Sequence, residues 1–258
     1  MKYTEMVHEF MSINSRELII PVAYQRRLLP KRVARIVAKF DEHIANEPKV
    51  SFRDGRYYVF DGQHTIAARK KMNGGRDLPI RCKVYRGLTE SDEALLFAQQ
   101  TGESAKLTAS AQLRAMVYGG DPEATAFLHA TEAVGLHLGF DQGRGSKRIV
   151  CIGTAFSEFK RVGADIYKEA LGVILAAWNG APDSLRAETM QGVISFAELY
   201  HGEYDRTRLI KRLHNTDPLS VYRSGRTDVN LPGTKKYLNQ VYRIYNGTSS
   251  KAALPMKF

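Results

Sequence analysis

Apolar and polar residues over the first hundred positions follow patterns that predict a mixed α/β domain. Residues 17–24 (ELIIPVAY), 49–55 (KVSFRDG) and 56–62 (RYYVFDG) are short runs rich in β-branched and aromatic residues, which are typical of strands. The Asp54-Gly55 pair between the last two runs predicts a hairpin turn. Residues 78–87 (LPIRCKVYRG) alternate apolar and basic positions, so they predict a half-buried strand.

Three helices are predicted between and after these strands. Pro30 suits the first turn of a helix whose apolar stripe consists of Leu29, Val33, Ile36, Val37 and Phe40. A second helix is predicted over 63–72, because the Asn-Gly-Gly at 73–75 is suited to end it. Thr89 is suited to cap a third helix, and the acids over 90–93 suit the positive end of its dipole. A metal-binding role for those acids is the weaker alternative.

The rest of the chain has the periodicity of amphipathic helices, separated by Gly, Pro and Asn. The predicted helical segments are 108–136, 163–179, 184–201, 204–215 and 233–246. We therefore expect an α/β (α+β) N-terminal domain over residues 1–107, followed by an all-α C-terminal domain over residues 108–258.

Composition narrows the class of protein. The chain has 258 residues, of which 43% are apolar, and this is enough for one large folded domain or two ordinary ones. No apolar run approaches the roughly 20 residues that a membrane span needs, and the first residues lack a signal-peptide pattern. Cys82 and Cys151 are isolated, and the seven histidines lack metal-binding spacing. We expect a cytoplasmic protein with reduced thiols, no membrane partner and no metal site.

Positive charge is concentrated near the C-terminus. The formal net charge is +11, and residues 206–258 alone contain 11 Lys/Arg against 2 Asp/Glu, a local balance of +9. Four tyrosines, at positions 222, 237, 242 and 245, lie among these cations. One interpretation is a nucleic-acid surface, and the other is a set of core tyrosines with solvated charges opposite. The residues expected to contact DNA under the first interpretation are Arg223, Arg226, Lys235, Lys236 and Arg243.

The stretch YVFDGQHTIAARKK, residues 58–71, is the strongest candidate for a binding site. A strand followed by glycine and a helix start presents unpaired N–H groups and the positive end of a dipole, which together bind phosphate. Gly62 would let the backbone approach the ligand, and Gln63 and His64 would donate to phosphate oxygens. His64 is also a candidate general acid or base, and Asp61 a candidate metal ligand. The alternative is that Asp61 simply caps the helix and His64 lies on the surface.

The order of these features resembles the ParB/sulfiredoxin-like superfamily over about residues 15–115. PVAYQRR is similar to its first polar box, and VFDGQHTIAA is similar to its phosphate-binding box. The GLTE helix start and LTASAQLRA are similar to the segments that follow in ParB proteins. The resemblance implies a nucleoside triphosphate with Mg²⁺ bound between the two boxes. The residues implied as phosphate or nucleotide contacts are Gln25, Arg26, Gly62, Gln63, His64, Thr65 and Arg69.

Three departures from the superfamily pattern limit what the resemblance implies. Gln63 stands where sulfiredoxins need a cysteine, so sulfinic-acid reduction is not expected. Thr65 stands where the box usually ends in arginine, and Arg69 or Arg26 is the expected substitute for that charge. The third ParB box is replaced by AQQTGESAK at 98–106, where only Gln99 and Gln100 keep polar character.

These features together favour a nucleotide-responsive DNA-binding protein of ParB-like type, of the kind found in plasmids, phages or mobile elements. DNA is favoured over RNA as the partner, and a homodimer is compatible with the sequence. The first alternative is a ParB-like nuclease or NTPase, with Asp61 and His64 as the catalytic residues. The second is a protein-interaction module with a degenerate site.

Overall fold

The chain forms two compact units, Met1–Asp121 and Pro122–Phe258. The computed structural model describes residues 7–43, 45–99, 107–140, 142–248 and 253–258. The helix Ala109–Tyr118 belongs to the first unit, where it packs on the helix Glu90–Ala98, whereas the sequence analysis placed it in the second domain.

The first unit is built on a mixed five-stranded sheet. Its strands are β1 (His8–Asn14), β2 (Leu18–Ile19), β3 (Lys49–Arg53), β4 (Arg56–Asp61) and β5 (Pro79–Arg86). The strand order is β1-β5-β3-β4-β2, with β1/β5 and β3/β4 antiparallel and β5/β3 and β4/β2 parallel. Only two residues of the strand expected over 17–24 are in β2, because a 3₁₀ turn precedes them and Pro21 follows. Strand β1 was not predicted.

The predicted hairpin between β3 and β4 is present, and its turn has the backbone that such a turn requires. Asp54 has φ 51° and Gly55 has φ 71°, the pair of positive angles that Asp-Gly tolerates. Beyond the turn, Val59 belongs to one hydrophobic cluster and Phe60 to another. Since successive strand residues face opposite sides of a sheet, β4 is covered on both faces.

Four helices accompany the sheet in the described part of this unit: α1 (Pro30–Ala38), α2 (Gln63–Met72), α3 (Glu90–Ala98) and α4 (Ala109–Tyr118). Helix α2 places Ile66 in the cluster with Val59, and α1 packs on α2. Helices α3 and α4 supply Phe97 and Ala115 to the cluster with Phe60. Thr89 and Asp92 form the capping box that starts α3, in agreement with the sequence analysis.

The second unit is helical except for one short parallel ladder. Its helices are α5 (Pro122–Ala133), α6 (Ile152–Trp178), α7 (Ala187–Leu199), α8 (Arg206–His214), α9 (Pro218–Thr227) and α10 (Lys235–Asn246). Strands β6 (His137–Leu138) and β7 (Arg148–Ile149) pair in parallel, so the expectation of an all-α domain was wrong in this detail. None of the helices in the described ranges is long and apolar enough to span a membrane.

Breaks in the helical segments occur at glycines. The segment 108–136 is two helices rather than one, because Gly119 and Gly120 end α4 and Gly120 has φ 74°. Helix α6 changes direction at Gly163, whose φ of 78° and ψ of 169° are not helical. The helix predicted from residue 163 is therefore the second half of α6.

Candidate functional site

A cleft in the first unit collects most of the residues that the sequence analysis singled out. Its empty volume is about 340 Å³. Gln25 and Arg26 line it from the loop before α1, and residues 61–65 line it from the end of β4 and the start of α2. Arg32, in the first turn of α1, also lines it. Ile36 and Phe97 supply its apolar lining.

Two buried glutamines join the two sequence boxes directly. The Gln63 amide nitrogen donates to Oε1 of Gln25 at 3.1 Å and to the carbonyl of Arg26 at 2.9 Å. The Gln25 amide nitrogen donates to the carbonyl of Val59 at 2.8 Å. Gln25 is 4% exposed and Gln63 is 7% exposed. These bonds fix the loop that carries Arg26 against the end of β4, so the boxes are held together by structure rather than by a ligand.

Glycine is required at position 62 by its backbone and by a neighbouring proline. Gly62 caps α2 with φ 97°, and a Cβ there would lie 2.8 Å from the Cα of Pro48. The structure therefore shows a close approach of Pro48 to this glycine, and the approach of a ligand stays a prediction. Asp61 forms an ion pair with Lys49 at 3.2 Å, and α2 has no side-chain N-cap bond, so Asp61 does not cap the helix.

The first turn of α2 presents unpaired backbone donors. Within the described residues, the N–H groups of Gln63, His64 and Thr65 have no hydrogen-bond partner, and the first turn of α2 contains no acid. The Thr65 hydroxyl has no partner there either, and Thr65 lines the cleft. Such a helix start attracts anions, because its donors and its dipole both favour negative charge.

Two arginines bring positive charge to the same cleft. Burial lowers the pKa of Arg26, and the neighbouring charge of Arg32 lowers it further. Burial also lowers the pKa of Arg32, followed by repulsion from Arg35. The Arg32 guanidinium has no hydrogen-bond or ion-pair partner among the described residues. Sequence analysis missed Arg32, although its position in the first turn of the predicted helix, close after the first box, was a usable signal.

His64 is buried and takes part in the structure. It is 4% exposed, and its Nε2 accepts a hydrogen bond from the N–H of Leu29 at 3.2 Å. Burial lowers its pKa to about 4, with repulsion from Arg32 and Arg26 adding to the effect. The alternative of a surface histidine is therefore wrong. A general base at Nε2 is also disfavoured, because that lone pair is already engaged.

Arg69 does not lie with the other predicted phosphate contacts. Its Nη1 pairs with Glu42 at 2.8 Å, and its guanidinium lies 5.1 Å from the ring centre of Phe40. It points to the α1 side of α2 and does not line the cleft. Arg26 and Arg32 are the arginines that line the cleft.

Two further expectations concern metals and the third box. No group of three or more His, Cys, Asp or Glu in the described ranges is arranged to hold a metal ion. Asp61 is the carboxylate that lines the cleft, and Lys49 already neutralises it. Gln100 and residues 101–106, most of the segment in the place of the third box, lie outside the described residues.

A family model matches residues 20–258, nearly the whole chain. The chain belongs to the family of unknown function DUF6551. No curated protein and no solved structure matches it.

The cations expected to contact DNA in this DUF6551 protein lie on two helices of the second unit. Arg223 and Arg226 are exposed at the end of α9, and Lys235 is exposed at the start of α10, beside the partly exposed Lys236. Because α9 packs against α10 and only seven residues connect them, these four lie near one end of a helix pair. Arg243 lies about two turns further along α10 and is exposed.

The tyrosines among these cations serve mainly in packing. Tyr237 and Tyr245 are buried, with exposed fractions of 8% and 2%. The Tyr242 hydroxyl donates to the carbonyl of Leu254 at 3.0 Å. Tyr222 is partly buried on α9. For the buried pair the core interpretation is correct, so any nucleic-acid contact here would depend on charge rather than on stacked rings.

Proposed function

We propose that this DUF6551 protein binds the phosphate groups of a nucleotide in the cleft of its first unit, and that it is a nucleotide-responsive DNA-binding protein of ParB-like type. The observation that carries the proposal is the combination of Arg26 and Arg32 with the unpaired N–H groups at the start of α2. The Asp61 carboxylate in the same cleft is paired with Lys49.

The charge of the cleft suits a phosphate-bearing ligand. In addition to burial, Arg32 lowers the pKa of Arg26, and Arg35 lowers the pKa of Arg32. An anion that enters the cleft would stabilise these positive charges. The resemblance of both boxes to the ParB/sulfiredoxin-like superfamily supports a nucleotide as the source of that phosphate.

Arg32 weakens the case for a degenerate interaction module. That alternative rested on the missing arginine at Thr65 and on the missing third box. Arg32 reaches the same cleft from α1 and supplies a cation in place of the missing one. Arginine can serve as a phosphate ligand from a different position, because its planar guanidinium donates to phosphate oxygens from several directions.

The nuclease or NTPase alternative has less support from the geometry. Its two catalytic candidates are engaged elsewhere, His64 with the N–H of Leu29 and Asp61 with Lys49. A Mg²⁺ ion would have to be held by Asp61 together with the phosphates of its nucleotide, which is a common arrangement for this ion. Such an ion would supply charge neutralisation on the phosphates, while Arg26 and Arg32 hold their outer oxygens.

The test of nucleotide binding is a thermal-shift screen with ATP, CTP, GTP, their diphosphates and tripolyphosphate, each with and without Mg²⁺. A ligand at 100 times its Kd should stabilise the first unit by about 2.7 kcal/mol. Arg32→Gln should abolish that shift. Arg35→Gln is the matched control, because Arg35 is exposed on the same helix and lies outside the cleft lining. Equal thermal shifts in Arg32→Gln and Arg35→Gln, or no shift in the wild type, would contradict phosphate binding in the cleft.

The test of DNA binding is fluorescence anisotropy with a labelled duplex across a series of salt concentrations. Contacts with phosphates release counterions, so affinity should fall steeply with salt. Replacing both Lys235 and Lys236 by Glu should weaken binding and reduce the salt slope, whereas Lys160→Glu, an exposed lysine on α6, should do neither. Addition of the nucleotide found in the first screen should change the affinity. An affinity that ignores both salt and nucleotide would refute this half of the proposal.

A further inference from the structure

Positive charge in the first unit is concentrated in and just before α1. Residues 26–40 contain six Lys/Arg and no Asp/Glu. Three of these cations are exposed along the helix: Lys31 in its first turn, Arg35 about one turn later and Lys39 at its C-cap. Among the residues that the structure describes, none of these three side chains has an ion-pair or hydrogen-bond partner. We call these three residues the basic ridge.

The spacing of the basic ridge places its cations in one row. A helix turns by about 100° per residue, so residues four apart lie within about 40° of each other and about 6 Å apart along the axis. Val33 is buried on the opposite side, and α1 packs on α2. Arg32 lies next to the row and lines the cleft. The ridge is therefore a solvent-facing edge about 12 Å long that runs beside the cleft.

The basic ridge opposes the formation of α1 rather than supporting it. Lys31 with Arg35, and Arg35 with Lys39, are like-charge pairs at a spacing of four, which destabilise a helix. Lys31 also lies at the positive end of the helix dipole, where an acid would be favourable, and the first turn of α1 contains none. Burial lowers the pKa of Arg32, and the charge of Arg35 lowers it further, so the repulsion extends to the cleft. A polyanion bound along the ridge would offset this repulsion.

The acids that follow α1 do not compensate the basic ridge. Glu42 pairs with Arg69 at 2.8 Å. The Asp41 carboxylate accepts a hydrogen bond from the N–H of His43 at 2.8 Å. With both acids included, residues 26–43 contain six Lys/Arg against two Asp/Glu, a local balance of +4. The surface therefore favours a partner with several negative charges.

We propose that the basic ridge binds the phosphate backbone of DNA, as a second contact surface beside the C-terminal cations. This inference rests on the DNA binding proposed above and is independent of nucleotide binding in the cleft. A strand of DNA carries one charge per about 3.4 Å of helix axis, so it can engage all three cations, whereas a small anion spans one or two. Exposed Ala34 and Ala38 flank the row and offer no group that reads bases. Binding should therefore be independent of sequence.

An anionic membrane is the other partner that a basic helix can have. Helices that lie in a membrane surface insert an exposed apolar face. The apolar side of α1 is used in packing, since Val33 is buried and α1 packs on α2. Leu28 and Leu29, 49% and 52% exposed, lie at one end of the ridge and offer too small an apolar surface for insertion. DNA is therefore favoured over a membrane.

Two triple variants with the same change in net charge test the basic ridge in the whole chain. The ridge variant replaces its three cations by Gln, a good helix former at exposed positions. The control variant replaces by Gln three exposed arginines of the first unit that lie outside α1, namely Arg16, Arg56 and Arg76. Fluorescence anisotropy is measured with two labelled duplexes of unrelated sequence over a series of salt concentrations.

We expect the ridge variant to bind both duplexes about tenfold or more weakly, and to reduce the salt slope by about 3, one for each lost phosphate contact. We expect the control variant to stay within about twofold of the wild type, with a slope changed by less than about 1.

Lysine acetylation of the wild type tests the same contact without a variant. Lys31 and Lys39 should lose most of their reactivity when DNA is bound, because a phosphate contact covers the amine. Lys160, exposed on α6, should react equally with and without DNA. Unchanged reactivity of Lys31 and Lys39 under saturating DNA would overturn the proposal.

The outcomes separate failure of this inference from failure of the proposed function. Equal affinities and salt slopes in the two triple variants would refute the basic ridge and leave the C-terminal cations as the DNA contact. Loss of binding to phosphatidylserine vesicles, with DNA binding intact, would refute it in favour of a membrane. If the ridge variant loses DNA and the variant at Lys235 and Lys236 does not, the ridge stands and the C-terminal assignment fails. If the wild type binds no duplex, both DNA surfaces are refuted, whereas nucleotide binding in the cleft is judged by its own thermal shift.

Discussion

Replacement of Gly62 by alanine should destabilise the first unit more than any other single methyl group added to α2. The backbone of Gly62 has φ 97°, which costs a residue with a Cβ about 1–2 kcal/mol. The new Cβ would also lie 2.8 Å from the Cα of Pro48, so one backbone must move. Crowding of this kind costs about 1–3 kcal/mol. The expected loss in free energy of unfolding is therefore about 2–5 kcal/mol.

Gly74, just beyond the other end of α2, provides a matched control. Its φ is 67°, and a Cβ there would meet no atom within 4 Å. Gly74→Ala should therefore cost only the backbone strain, about 1–2 kcal/mol. The difference between the two variants is therefore due mainly to the contact with Pro48.

The two units can be followed separately during urea unfolding. Cys82 is fully buried in β5, so its reaction with a thiol reagent reports the first unit once Cys151 is replaced by Ser. Trp178, the single tryptophan, lies on α6 and reports the second unit. Gly62→Ala should shift the Cys82 transition and leave the Trp178 signal in place. If Gly62→Ala costs no more than Gly74→Ala, the close approach of Pro48 does not constrain the site.

Three further outcomes follow from buried groups. Glu93 is fully buried and bonds to Arg53 at 2.8 Å, so Glu93→Gln should cost the first unit about 2–3 kcal/mol in urea unfolding, less than a fully buried pair because Arg53 is partly exposed. Gly225→Ala would drive a Cβ into the ring of Tyr237, and this crowding should outweigh the gain in helix propensity and shift the tryptophan-detected transition of the second unit to lower urea. The unfolded chain protonates His64 near pH 6.5, but the folded chain does so only near its pKa of about 4. The first unit should therefore lose up to about 1.4 kcal/mol per pH unit as the pH falls between these values, a slope that should be absent in His64→Asn.

Local signals in the sequence were sufficient to predict most of the helices and strands of the first unit. Pro30, the Asp54-Gly55 turn and the Thr89 cap each act within a few residues, and the elements that they start are present. Strand β1 was missed because its residues are mostly exposed and form an edge strand, so alternation is weak there. Its position depends on pairing with β5, which lies about seventy residues further along the chain.

The site was predictable only in part, for a related reason. The two boxes could be recognised in the sequence because each is a continuous run of residues. In the structure they are in contact through Gln25 and Gln63. The contributions of Arg32 and Pro48 depend on where α1 and β3 lie relative to α2. Those positions are set by packing between segments, and no run of neighbouring residues encodes them. Packing between segments also explains why Arg69 pairs with Glu42, although its position one turn after Thr65 in the sequence suggested a phosphate contact.

The charges of Arg26 and Arg32 lower the stability of the folded chain when no anion is bound, and this cost bears on the proposed function of the cleft. Arg26 and Arg32 both have lowered pKa values, so the folded chain holds their charges at an energetic disadvantage. A protein under selection for stability alone would replace one of them by a neutral residue, since surface substitutions are otherwise cheap. Retaining both beside a helix start that has no acid is understandable if an anion offsets the repulsion when it binds. On this reasoning Arg32→Gln should raise the free energy of unfolding of the ligand-free first unit and abolish its stabilisation by phosphate. If Arg32→Gln instead lowered both the stability and the response to phosphate, Arg32 would have only a structural role.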